Sequence, residues 1–404
     1  MTDIASQVSD LKRILPEFGY EALTAVHEKN AVVQQCEVDI ILGEKKRKFP
    51  LFRPRRISTR MQPYWTRYCD RKLINTALKE CDIFIFFWNT ILPRYEDLEL
   101  LKRNGKKIVF CFVGDDVRWY YGQKQEFNFY GFRETEYGEN YDYSVKGLET
   151  CLNYLRHGEK YADVLFSRLD QAQIALRPYF RHHMMVDTKS IQPGPAQRKV
   201  KPVVVHAPTA RNVKGSKYVI EVLEKLTAEG VDFEFILVEN VPNHKAIEIF
   251  RNADIIIDQL LIPGTGKLSS ESLAAGRVVM SHMAFADYPQ NPGLDYPVID
   301  VNPDTFYEKL KHIIGDLKLR EEYSQRGRKF AEEVLDYRHF IKKMLSILSG
   351  EKLPYDYVPS FFREKFVPES EESVAVYNKY TQMVAGCDWY KENVKPGTRA
   401  ELIF

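Results

Sequence analysis

The chain has 404 residues, 58 Lys+Arg against 56 Asp+Glu, a formal net charge of +2 and 44% apolar residues. This is globular composition: it excludes a wholly disordered chain, and the length predicts two domains of roughly 100–200 residues with cores that need no disulfide or metal. Near-neutral charge by itself predicts no electrostatically driven partner. The longest uncharged apolar run, residues 83–93, falls well short of the ~20 residues of a spanning helix. No basic-then-apolar leader opens the chain, and six scattered cysteines without a Cys-x-x-Cys fit reduced thiols. A cytoplasmic protein is the expectation.

Strand-like apolar runs alternate with helical periodicity almost throughout, which predicts an α/β fold with parallel sheets. The first half opens on a helix pattern (Val8, Leu11, Ile14, Leu15), one strand short of the usual doubly wound start. Strands are expected at 20–26, 38–42, 82–88, 107–113 and 164–167. Helical spacing follows at Leu73, Ala77 and Leu78, and again at Leu98 and Leu101 before the Gly105 stop. Residues 189–202, with three prolines and a glycine, read as a linker. Beyond it, strands are expected at 203–206, 233–238, 255–261, 278–282 and 297–301. Helices are expected at 219–226, 245–250 and 268–275, then in three stretches from Asp304 to about Leu348. The expected division is 1–190, 191–350 and a tail, 351–404, packing back on the first domain.

Two segments carry candidate chemistry. Lys214-Gly215-Ser216 follows a strand and opens a helix, where backbone amides favour an anion, and Arg211 and Lys214 supply the full charges that a diphosphate needs. An exposed basic loop capping a helix gives the same sequence. The second segment is a glycine-rich turn, Gly264-Thr265-Gly266, between a buried strand and a helix that carries Glu271. Bare amides at the carboxyl end of a strand are where open α/β sheets bind ligands. A Walker A loop is excluded because Leu261 stands where its first glycine belongs. Asp115 and Asp116 end the strand at 107–113, as cap or as ligand; His206 ends its own strand, facing a cleft or satisfied in the core. His182 and His183 read as a surface pair. No His/Cys/Asp cluster has metal-ligand spacing, and neither Asp-x-Asp nor Gly-x-Ser-x-Gly occurs.

In this order, these segments resemble the donor-binding half of GT-B glycosyltransferases, close to glycosyltransferase family 4. The matching stretches are His206-Ala-Pro-Thr-Ala-Arg-Asn-Val-Lys-Gly215, Phe235-Ile-Leu-Val-Glu-Asn240, Ala253-Asp-Ile-Ile-Ile-Asp-Gln-Leu-Leu261 and Glu271-Ser-Leu-Ala-Ala-Gly276. The first half resembles the partner domain through Ile91-Leu-Pro-Arg94, Lys106-Lys-Ile-Val109 and Gly114-Asp-Asp-Val-Arg118. The resemblance implies two Rossmann-like domains facing across a cleft and a UDP- or GDP-linked sugar as substrate. It implies transfer to a glycan or lipid-linked acceptor, with retention and with neither cofactor nor metal. It places the diphosphate against Arg211, Lys214 and the amides of Gly264, Thr265 and Gly266. The ribose falls at Glu271, the rest of the donor near His206 and Glu239, and the sugar opposite Asp116. Lys214→Ala is then expected to abolish turnover and leave folding intact. Three positions depart from the pattern: Pro263 replaces a glutamate that contacts the donor sugar, Val113 replaces a histidine that faces it, and Thr209 stands near the place of an arginine for which Arg211 is the substitute. A catalytically silent GT-B module, partner to another transferase, is therefore the alternative.

Residues 45–72 hold eleven basic side chains against one acidic, Asp70, so the rest of the chain is net negative. Lys45, Lys46, Arg47, Lys48, Arg55 and Arg56 with Trp65 are the acceptor or membrane patch. Basic residues among aromatics suit an anionic membrane face or the phosphate of a lipid-linked acceptor. Nucleic acid is the competing target without an accompanying motif, and a solvated basic loop the bland alternative. Residues 119–143, dense in Tyr, Phe and Glu, are expected to shape the acceptor site or to pack into their own core.

Overall fold

The computed structural model describes residues 7–26, 38–42, 55–132, 138, 141–284 and 295–394, with backbone alone for 55–62 and 393. Strands β1 (Ala25–Val26) and β2 (Ile40–Ile41) pair as a separate two-stranded sheet, shorter than the apolar runs that contain them. The main sheet of the first half has β3 (Ile83–Phe87), β4 (Lys107–Cys111), β5 (Val164–Ser167) and β6 (Phe180–Arg181), parallel and in that order.

Alternation along β4 shows why its run is continuously apolar. Ile108, Phe110 and Phe112 point to one face, Val109, Cys111 and Val113 to the other, and both faces are covered. Helix α1 (Gln7–Ile14) lies on the second face through Leu11 and Ile14. The first face takes Ala77 of α2 (Arg55–Glu80), Leu98 and Leu101 of α3 (Glu96–Arg103), Trp119 just before α4 (Tyr120–Glu126), and Leu148, Leu152 and Leu155 of α5 (Val145–Tyr161). Each fully buried Leu or Phe contributes about 1.5–3 kcal/mol of transfer free energy.

The second half holds β7 (Val203–His206), β8 (Glu234–Leu237), β9 (Ile255–Ile257), β10 (Val278–Ser281) and β11 (Ile299–Asp300). All pairings are parallel and the order is β11-β10-β9-β7-β8. Val204, Ile255 and Ile257 meet α6 (Ser216–Ala228), through Val219, Leu223 and Leu226; Val203, Val205 and Ile256 meet α7 (Asn243–Asn252), through Ala246 and Phe250. Helices α8 (Lys267–Ala274), α9 (Phe306–Gly315) and α10 (Leu317–Phe330) complete the layers.

The proline-rich linker is fixed in place. The buried Asp254 carboxylate accepts Arg198 N and Val203 N, both at 2.8 Å, and a Cβ on Gly194 would sit 2.0 Å from the Arg251 carbonyl oxygen. The chain returns to the first half before residue 350. Val186 and Asp336 pair in a parallel bridge, and the Asp336 carboxylate accepts Thr188 N at 3.1 Å and Arg338 N at 2.8 Å. From there α11 (Tyr337–Leu348) packs Tyr337, Phe340, Ile341 and Met344 against Val109, Phe166 and Phe180 of the first sheet. On that sheet's opposite face lie Phe362, Phe366, Tyr377 and Val384, the middle pair flanking the start of α12 (Glu371–Gln382). Among the described residues no helix is long and apolar enough to cross a membrane.

Candidate functional site

In the second sheet the chain steps from β7 to β8 on one side and then crosses to β9 on the other, so the topological switch lies between β7 and β9. Ligands of open α/β sheets bind outside the carboxyl ends of the strands at such a point. The turn leaving β7 carries Arg211 and Lys214; the turn leaving β9 carries Asp258, Gln259 and the glycines. They meet there. Lys214 Nζ donates to Asp258 Oδ1 at 2.6 Å and to Gln259 Oε1 at 2.8 Å. Asp258 Oδ2 accepts Gly266 N at 2.9 Å and Ser269 Oγ at 2.6 Å, so this carboxylate sits at the N-terminus of α8 as an internal anion. Burial alone would raise the Asp258 carboxyl, but the Lys214 charge and these hydrogen bonds outweigh it and hold it below the usual range.

The glycines have local causes. Gly264 has φ +104, a conformation strained for any L side chain, and its N donates to the His282 carbonyl at 2.8 Å. Gln259 Nε2 braces the turn through the carbonyls of Ile262 (3.0 Å) and Gly264 (2.8 Å). A Cβ on Gly266 would come within 3.1 Å of both Asp258 Oδ2 and Lys214 Nζ, a tight approach that would press on the ion pair. Thr265 is buried beside Tyr296.

The other proposed donor residues are more dispersed. Arg211 is exposed and clasped by Glu239 through two hydrogen bonds, 2.7 and 2.6 Å, at the rim. Glu271 is buried and accepts Asn243 Nδ2 at 3.1 Å; burial raises its carboxyl, opposed by the Lys267 charge and that hydrogen bond. His206 lies beneath the site instead of in it. Its Nδ1 donates to the Ile257 carbonyl at 2.9 Å, which leaves Nε2 to accept from Ser216 Oγ at 2.8 Å, and no ring nitrogen remains for a ligand. Burial lowers its pKa, so the ring is neutral.

On the facing wall, Asp116 turns its carboxylate onto its own turn, accepting Gly114 N at 2.7 Å and Val113 N at 3.2 Å. These donors lie upstream of Asp116, so the carboxylate closes its own turn and does not cap the helix that follows. Burial pushes the Asp116 carboxyl up to about 7 against those hydrogen bonds, while Arg118 is paired with Asp115. His182 and His183 are not a surface pair. His182 is 1% exposed with Nε2 on Gln7 Oε1 at 3.1 Å, burial lowers it to about 3, and His183 is driven down by the same cause. The covering layers here are α1, through Gln7, and the returning α11, through Phe340, which sequence proximity does not reveal.

The two walls touch directly. Arg168 Nη1 donates to the Thr265 carbonyl at 2.9 Å while its Nε holds Asp170 Oδ1 at 2.9 Å. A Cβ on Gly264 would fall 2.2 Å from Arg168 Nη2. Lys267 Nζ reaches the Met185 carbonyl at 2.7 Å and Asp10 at 3.2 Å. Arg168, Asp170, Arg181, His183, Gly264 and Thr265 enclose a small cleft cavity of about 60 Å³. The described stretch 119–132 of the aromatic segment closes the far side: Gly131 N donates to the Leu261 carbonyl at 2.9 Å, and Tyr120 and Phe132 pack on Leu261 and Ile262. It bridges both halves. The sequence alone does not assign Asp258 and Arg168; an aspartate directly after three consecutive isoleucines is the available signal for the first.

Of the basic patch, Lys45, Lys46, Arg47 and Lys48 lie outside the described residues, and Arg55 and Arg56 begin α2. Trp65 is half-buried and stacks on the exposed Tyr68 with ring centroids 5.5 Å apart. Arg67 and Arg71 both pair with Glu96, which partly neutralises the patch.

Neither a protein family nor a curated protein matches this sequence. Solved structures do match the fold. HepE of Anabaena, in complex with UDP and glucose, aligns over 87% of this chain and 98% of its own at 13% identity and a TM-score of 0.52. Sucrose-phosphate synthase of Thermosynechococcus elongatus aligns over 84% and 91% at 12% identity and 0.52. The fold is the GT-B arrangement of two Rossmann-like domains facing across a cleft.

Proposed function

We propose that this chain is a glycosyltransferase that moves a sugar from a nucleotide-sugar donor to a glycan or lipid-linked acceptor, with retention and without an obligatory metal. The observation that carries the reading is the Lys214–Asp258 cluster at the sheet's switch point, a lysine cation held beside the start of a helix where the donor of such a fold lies. The UDP and glucose bound by HepE support a donor of the same class. In the reaction the bond from the sugar's anomeric carbon to the diphosphate breaks, and a bond to an acceptor hydroxyl oxygen forms. The hydroxyl proton leaves with the nucleoside diphosphate. Lys214 and, once released from Glu239, Arg211 stabilise the charge that develops on the leaving group, and this electrostatic contribution is the largest; the amides of Gly264 and Gly266 are taken by the His282 carbonyl and Asp258. Glu271 orients the ribose. Peripheral attachment to an anionic membrane through α2 belongs to the same proposal.

Lys214→Ala is not the clean test that the sequence implies, because it strands the buried Asp258 carboxylate. The double variant Lys214→Met/Asp258→Asn removes the cation with its counter-charge. It is expected to keep the fold and lose at least a hundredfold in turnover with any nucleotide-sugar that the wild type uses. Unchanged kcat and KM in that variant would refute the assignment.

The second reading, a silent module, has its own supporting observation: without a ligand the cations at the site are already paired, Lys214 with Asp258 and Arg211 with Glu239. A thermal-shift panel of UDP, GDP and their sugars separates the two, since stabilisation by none of them favours the module.

A further inference from the structure

The cleft cavity of about 60 Å³ is separate from the Lys214 cluster, since neither Lys214 nor Asp258 lines it. It lies at the Gly264 end of the glycine turn, where a Cβ on Gly264 would strike the Arg168 guanidinium. Both halves build it: Arg168, Arg181 and His183 come from the first, Thr265 and Tyr296 from the second. The hydroxyls there are loosely engaged. The Tyr296 hydroxyl meets Thr265 Oγ1 at 3.4 Å and His183 Nδ1 at 3.5 Å, the outer limit of a hydrogen bond, so a better partner can draw it away. The volume holds a few waters or one small charged group, and not a sugar ring.

The charge of the lining is uneven. Two cations, Arg168 and Arg181, face one carboxylate, Asp170, which Arg168 Nε holds at 2.9 Å. Two ion pairs behind the wall cancel: Arg118 with Asp115, and Lys343 with Asp356 at 2.5 Å. Arg118 also comes within 3.7 Å of Asp170, and Asp356 accepts the Arg181 backbone N at 2.7 Å. One positive charge is left in excess, and the walls feel it. Burial raises the Tyr296 hydroxyl, opposed by its bond to Thr265 and by the charges of Arg168 and Arg181. Burial lowers His183, and Arg181, Arg168 and Lys343 push it the same way. A cationic, polar cavity of this size accepts a single small anion.

We propose that the sugar on the donor is a hexuronate, and that its carboxylate enters this cavity to pair with Arg181 while the Tyr296 and Thr265 hydroxyls donate to it. A guanidinium fork matches a carboxylate in shape, and a monoanion balances the one excess charge, where a phosphate dianion would not. The cavity adjoins the same glycine turn as the Lys214 cluster, which assigns the carboxylate to the sugar next to the diphosphate and not to the acceptor. This inference rests on the transferase reading and deepens it by naming the donor's class.

The test is isothermal titration of the full chain with two matched pairs, UDP-glucose against UDP-glucuronate and GDP-mannose against GDP-mannuronate, with UDP and GDP alone as references. In the pair whose nucleotide the protein binds, the uronate member is expected to bind about tenfold tighter or more. Arg181→Met should bring that ratio to about one by weakening the uronate alone, and Arg181→Lys, which keeps the charge without the fork, should retain part of it. Tyr296→Phe, which keeps the ring and its packing, should lower the ratio about threefold and keeps the test open if Arg181→Met does not fold. A wild-type ratio of one or less, or a preference that survives both Arg181→Met and Tyr296→Phe, would overturn the proposal. So would an equal loss of UDP or GDP affinity in Arg181→Met, which would put the diphosphate in the cavity. Binding of a nucleotide without a uronate preference defeats this inference alone; no response to any of the six ligands defeats the transferase reading and this inference with it.

Discussion

Two buried carboxylates follow central parallel strands of the two sheets, one directly and the other five residues on, and they have opposite character. Asp258 follows β9 and Asp116 follows the strand segment of β4. Both are buried and both accept backbone N–H groups. Asp258 also has Lys214 at 2.6 Å and is held ionised, below the usual range. Asp116 is pushed up to about 7 by burial, with Arg118 engaged by Asp115. A lysine in contact makes one buried carboxylate a charged anchor, and the other, whose neighbouring arginine is engaged elsewhere, is left to burial and rises toward neutrality.

The comparison breaks hardest at Asp258. Asp258→Ala leaves Lys214 without its counter-charge and α8 without its cap, and chemical denaturation should show a loss of about 3–5 kcal/mol. A loss below 1 kcal/mol would mean that the pair is not a structural anchor. Next is Gly264→Ala, where φ +104 and the Arg168 guanidinium both oppose a Cβ. About 1–3 kcal/mol is expected from backbone strain alone, and Arg168→Ala should recover part of it if the two walls meet as described.

A pH profile sharpens the contrast. The Asp116 carboxyl is raised in the fold, so its stabilising contribution is complete below its ordinary value near 3.8 and is lost as pH rises to about 7. The Asp258 carboxyl is depressed, so its contribution is present at neutral pH and is lost as pH falls below the carboxylate range. Asp116→Asn should flatten the stability profile between about pH 4 and 7 and change stability at neutral pH by about 1 kcal/mol or less. An unaltered slope would contradict the assignment. The smallest effect is expected at the exposed Arg211–Glu239 pair: Glu239→Gln should leave thermal stability essentially unchanged and free Arg211 for a phosphate. A stability loss comparable to that at Asp258 would contradict its placement at the rim.

Much of this architecture was legible in the residues. Runs such as 203–206 and 255–257 are buried on both faces, so they are apolar throughout, and the glycine turn before Glu271 announces a strand-to-helix passage in one segment. What escaped was held by long-range contacts. Asp258 looks like any aspartate after a strand until Lys214, 44 residues away, is placed on it. His182 looks like a surface residue until α1 and the returning helix cover it. The tail was expected to cross back after residue 350, but the crossing is set by Asp336, pinned to Thr188 from 148 residues upstream. His206 reads as a ligand at a strand end, and only Ser216 and the Ile257 carbonyl show that its nitrogens are taken.

The central claim is that the Lys214 cluster at the second sheet's switch point holds a nucleotide diphosphate. Isothermal titration of UDP and GDP into the wild type and into Lys214→Met/Asp258→Asn tests it most directly. The account predicts measurable binding of one nucleotide by the wild type and at least a tenfold loss in the double variant, with the fold retained. Equal affinity in both proteins, or no binding of either nucleotide by the wild type, would contradict it.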